Sequence, residues 1–64
     1  MCEANAYLKK KNHEEYEELL SAVDKVIPTD TGLILESIFG ERKMLKAKIS
    51  ELQLVDHKIL LEEI

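Results

Sequence analysis

The residues with the most chemistry to offer stand together at the start of the numbering, Met1 and Cys2. Cys2 is the one cysteine of the 64-residue chain. It supplies a thiolate, and the α-amine of Met1 lies one residue away, so the two can close a small chelate ring on a single metal ion. The thiolate is the ligand, and a metal displaces its proton. A cysteine elsewhere would carry no such second donor. The alternative reading of Cys2 is a small apolar residue used for packing, as free cysteines often are.

Composition bounds what such a site can belong to. A chain of 64 residues holds one domain, 1–64, and a domain this small buries a modest fraction of its surface. One cysteine excludes an internal disulfide, so a metal, a second subunit or close packing must supply the stability. Hydrophobic residues make up 45% of the chain with one Phe, two Tyr and no Trp. That aliphatic content suffices for a core and leaves enough for an interface, so a homodimer is expected. The net charge of −4 argues against nucleic acid, whose binding draws on clustered Lys and Arg. No apolar run approaches the ~20 residues of a membrane span, and the first residues lack the apolar region of a signal peptide. A cytoplasmic protein with a reduced thiol is expected.

The elements that would position Met1 and Cys2 follow from periodicity. Cys2, Ala4, Ala6 and Leu8 alternate with Glu3, Asn5, Tyr7 and Lys9, the period of a half-buried strand. Lys10 to Glu14 reads as a polar turn with Asn12 as its left-handed residue. Glu14 to Ile27 is ambiguous: Tyr16, Leu19, Leu20, Val23, Val26 and Ile27 make a good helical stripe, and the pattern alone favours a helix. Pro28 to Gly32 is a turn, with Gly32 supplying a positive φ. Leu33 to Phe39 is a β-prone run, and Leu45, Ala47 and Ile49 alternating with lysines form the clearest strand. Ser50 to Asp56 reads as a break that keeps Leu52, Leu54 and Val55 for the core, and His57 to Glu62 as the last strand. Several short strands at close spacing suggest a small barrel.

Met1-Cys2, Gly32-Leu33 before a strand, Ile38-Phe39-Gly40-Glu41 and Val55-Asp56-His57-Lys58, in this order and spacing, resemble the CooT family of nickel-binding accessory proteins. The resemblance runs over nearly the whole chain. It implies an all-β, SH3-like or Sm-like barrel of five to seven short strands with a short 3₁₀ turn before the last one. It implies a homodimer, one Ni²⁺ with Cys2 as the essential ligand, and carbon monoxide dehydrogenase as the client enzyme. It also replaces the helix over Glu14 to Ile27 by mostly strand.

The donors agree with nickel. The Met1 amine, the Cys2 amide and the Cys2 thiolate are consecutive along the backbone and close five-membered rings. Ni²⁺ favours square-planar nitrogen and sulfur donors, Zn²⁺ a tetrahedral site, and Cu²⁺ tends to be reduced by a thiolate. One chain lacks a fourth donor. Two amines and two thiolates meeting on a dimer axis would complete the set, or each chain would bind its own ion with water or His added. The amine (pKa ~8) and thiol (~8.5) must both lose protons, so affinity depends on pH. His13 and His57 are the candidate auxiliary ligands; the plain reading is a solvated turn His and a rim His. Removal of Met1 would leave an aminothiolate chelate on Cys2.

Nothing in the chain resembles a catalytic constellation, so no enzyme is expected. Met44 reads as a core gap-filler, and Tyr7, Tyr16 and Phe39 as core or interface. Lys9, Lys10, Lys11, Arg42, Lys43, Lys46 and Lys48 would form the basic face of an alternative, RNA-binding barrel. A dimeric interaction domain with a structural Cys2 is the third reading.

Overall fold

The computed structural model describes residues 3–64, and no helix occurs among them. Six strands follow one another: β1 (Ala4–Lys9), β2 (Glu17–Pro28), β3 (Leu33–Ser37), β4 (Arg42–Leu45), β5 (Ala47–Gln53) and β6 (Lys58–Glu63). They form one sheet in the order β4-β3-β2-β1-β6-β5. β1 and β6 are parallel, and the other neighbours antiparallel. The fold is all-β and barrel-like, with β4 and β5 left as edges, so the sheet is not closed.

The alternation in β1 places Ala6 in the core with Ala4 and Leu8 packed against it, as its period requires. Leu35 and Leu61 are the large side chains fully withdrawn from solvent, and Leu20, Leu33, Ala47 and Ile59 surround them. Asn12 takes φ 66° in the turn after β1, where a short polar side chain tolerates the left-handed region.

β2 is a strand, and its helical appearance has a structural cause. Its pairing slips at three points, each time by one extra β2 residue. Ala4 faces Val23 while Ala6 faces Leu20; Tyr7 then faces Glu18; and on the other side Val23 faces Ser37 while Lys25 faces Glu36. Each extra residue makes a β-bulge, which bends and twists the strand. It also resets the alternation, so that Leu19, Leu20, Val23 and Val26 all reach the core at spacings a helix would use. The bends let the first half of β2 pair with β1 and the second half with β3. At the middle bulge Ala22 is buried and takes φ 52°, a conformation costly for any residue with a Cβ.

Other expectations need correction. The run from Leu45 to Ile49 is not one strand: it turns at Lys46, where the chain leaves the β4 edge for the β5 edge. The Lys46 carbonyl there accepts the Ile64 amide at 3.0 Å. β5 continues to Gln53, so the break before β6 shrinks to Leu54–His57. It is a single i→i+3 turn in which the His57 amide donates to Leu54. Leu54 and Val55 are 76% and 91% exposed and do not join the core, and Met44 is 81% exposed on β4. The run from Leu33 ends as a strand at Ser37, leaving Ile38 and Phe39 in a turn. Gly32 is required for space, not for a positive φ: a Cβ there would run into the Leu45 carbonyl oxygen, at the β4–β5 corner.

Candidate metal centre

Met1 and Cys2 lie outside the described residues. What the fold defines is the place from which they extend. β1 begins at Ala4, between β2 and β6. The Asn5 amide donates to the His57 carbonyl at 2.9 Å, and Asn5 stands opposite Lys58 in the parallel ladder. The Asn5 side chain reaches the other way, its Oδ1 accepting the Ala22 amide at 3.2 Å. The start of β1 is thus tied to the turn before β6 on one side and to the β2 bulge on the other.

This arrangement separates the two histidines. His57, with φ 55°, closes the turn that bonds to Asn5, three residues after Cys2. His13 follows the far end of β1, where its amide bonds to Lys10. His57 therefore lies at the end of the sheet where β1 begins, and His13 at the end where β1 finishes. Among the described residues no group of three His, Asp or Glu side chains converges to hold a metal ion.

The cations do not make a basic stripe. On the outer face of β2–β3–β4, Glu36 sits between Lys25 at 3.4 Å and the Arg42 Nε at 2.7 Å. The Arg42 hydrogen bond, followed by its charge and by Lys25, holds the Glu36 carboxyl below the usual carboxylate range. On the outer face of β1–β6–β5, Glu62 stands in register with Lys9 and Lys48, and lies 3.7 Å from the Lys9 ammonium. A hydrogen bond from Ser50, then the charge of Lys9, lowers its pKa as well. Each acid thus neutralises part of the positive charge on its face. Tyr7 and Tyr16 are half-buried beneath Lys58 and Lys9 ammonium groups, 5.8 and 5.6 Å from the ring centres.

The family model described as "CO dehydrogenase accessory protein CooT" matches residues 1–62. The chain belongs to the CooT family. The chain is also similar to a crystal structure named for CooT of Carboxydothermus hydrogenoformans, with 56% identity, a TM-score of 0.86 and 98% of each chain covered. No match was found among curated proteins. CooT membership carries an accessory role toward carbon monoxide dehydrogenase. The described sheet adds what the sequence did not reveal for a CooT chain: His57 beside the start of β1, and an exposed apolar pair, Leu54 and Val55, in the same turn. The signal for the second was present in Leu54-Val55-Asp56-His57, where two apolar residues stand in what the hydrogen bonding makes a tight turn.

Proposed function

We propose that this protein is a non-enzymatic nickel carrier of the cytoplasm, binding Ni²⁺ through the Cys2 thiolate and the Met1 amine at a homodimer interface for delivery to carbon monoxide dehydrogenase. The observation that carries the reading is the amine–thiolate pair at Met1-Cys2 in a chain of this family. Those donors fit a borderline-soft ion better than a hard one. A site shared by two chains couples metal loading to assembly.

The exposed turn supports the placing of the interface. Leu54 and Val55 precede the residue whose carbonyl holds Asn5, so an apolar contact there lies at the end of the sheet from which Cys2 extends. Two copies meeting on this turn bring two amines and two thiolates to one axis, with His57 at the rim as an auxiliary donor. Substituting Val55→Asp places a charge on a fully solvated side chain, which the isolated fold tolerates. The expected outcome is a monomer by analytical ultracentrifugation with the circular dichroism of the wild type. A variant that remains dimeric would move the interface elsewhere.

The test of the function is a Ni²⁺ titration of reduced, untagged protein followed by ultraviolet–visible spectroscopy. A thiolate-to-nickel charge-transfer band saturating at one ion per dimer is expected. Absence of the band removes nickel from the reading.

A further inference from the structure

We propose that the β3–β4 turn is a rigid docking knob, with Phe39 as the anchor that enters an apolar pocket with a cationic rim on the client enzyme. Phe39 is the one phenylalanine of the chain and is 82% exposed, with its neighbour Ile38 at 47%. A lone exposed apolar residue is ordinary on a protein surface. What sets this one apart is how firmly its backbone is held.

Each of the five consecutive amides from Ser37 to Glu41 has a partner inside the protein. The Ser37 amide donates to the Glu41 carbonyl at 2.8 Å, Ile38 to the Ala22 carbonyl at 2.9 Å, and Gly40 to the Ser37 carbonyl at 3.0 Å. The Phe39 and Glu41 amides both donate to the Ser37 hydroxyl at 3.2 Å. Ser37 is the buried polar residue of the described core, 3% exposed. Gly40 takes φ 86°, which closes the turn. The bond from Ile38 ends on Ala22, the buried residue held at φ 52°. Strain of this kind persists only where the surroundings over-determine it. Here it anchors a turn whose outward side chains make no use of the core.

An aromatic side chain on an ordered backbone has only two torsions left to fix on docking, a property of anchor residues at interfaces. A projecting phenyl needs a concave partner surface. Glu41 stands beside it and enters no ion pair among the described residues, and the chain carries a net charge of −4, so the rim of that pocket should be basic. The topology also separates the knob from the proposed dimer turn. A row across the sheet runs through the start of β1: Gln53, Lys58 and Asn5 are joined by the ladders on one side of it, and Ala4, Val23 and Ser37 on the other. Along the strands, Leu54–His57 lies beyond this row on one side and Ile38–Gly40 on the other. One surface can hold the second copy while the other meets the enzyme. The inference rests on the accessory role of the family and deepens it.

The experiment measures binding of the metal-free dimer to purified, nickel-free carbon monoxide dehydrogenase by biolayer interferometry. It compares wild type, Phe39→Ala, Phe39→Trp and Cys2→Ser. The expected result is binding by wild type and Cys2→Ser, at least tenfold weaker binding by Phe39→Ala, and retention in Phe39→Trp, with all variants dimeric and folded. Equal binding by Phe39→Ala overturns the knob and leaves the nickel reading standing. Dissociation of Phe39→Ala into monomers overturns it too, because the knob would then serve the dimer. If the wild type does not bind the enzyme, both the knob and direct delivery fall, whereas nickel loading is judged separately by titration.

Discussion

Replacing Gly32 by alanine is expected to destabilise the protein by about 3 kcal/mol or more, a loss on the scale of overpacking a site that cannot yield. The added methyl would meet the Leu45 carbonyl oxygen and come within 2.9 Å of the Lys46 Cα. Both obstacles are backbone, so no side chain can swing away. The Gly32 turn is itself fixed: its amide donates to the Thr29 hydroxyl at 3.0 Å, and its carbonyl accepts the Thr29 amide at 2.8 Å. Something must therefore shift at the corner where β4 gives way to β5. A domain of this size has a total stability of only about 3–10 kcal/mol. Thermal denaturation should show a midpoint lowered by roughly 12–24 °C, or no cooperative transition. Gly40→Ala is the comparison, since nothing stands within 4 Å of its Cβ position. Only its φ of 86° opposes the substitution, so it should lose about 1 kcal/mol. If the two glycines respond alike, the close approach at the corner is not what Gly32 is for.

That contrast marks where residue types inform and where they do not. Gly32 is visible in the sequence as a turn glycine, but its reason, the approach of a strand 13 positions later, is a tertiary fact. β1 was legible because Ala4, Ala6 and Leu8 alternate without interruption. β2 was not, because three bulges break the alternation into intervals that mimic a helix, and only the family resemblance supplied the strand. The corner at Lys46 hid inside an unbroken alternation, since Leu45 and Ala47 both face inward on either side of the bend. The apolar chemistry of Phe39, Met44, Leu54 and Val55 alone points to core or interface. Their exposure follows from placement in turns or on an edge strand, where the sheet has no second layer to offer them.

The candidate site divides along the same line. Met1 and Cys2 were read from the sequence as donors, and they lie outside the described residues. Whether His13 or His57 assists them is open in the sequence, where the plain reading is a solvated turn His and a rim His. The parallel pairing of β1 with β6 separates the two, because it joins the beginning of β1 to the beginning of β6. A parallel pair of the first and last strands has no local signature, so periodicity could not supply it.

Substituting Cys2→Ser is expected to weaken Ni²⁺ binding by more than ~100-fold, since even loss of a residue that merely supports a ligand costs about 10–100-fold. Serine keeps the size of the side chain and removes the thiolate. Its hydroxyl does not ionise in the neutral range, so the chelate loses both a donor and a negative charge. The fold should be unaffected, because the described sheet begins at Ala4. Isothermal titration calorimetry of wild type and variant, each checked by circular dichroism, reads the difference directly. His57→Ala belongs beside it: an auxiliary donor at the rim should cost far less than Cys2, while a loss equal to that of Cys2→Ser would promote His57 to an essential ligand. Retention of wild-type affinity by Cys2→Ser would leave the thiolate without a role and return the cysteine to packing. Nickel would then need a different set of donors, and among the described residues no cluster of three stands ready to supply one.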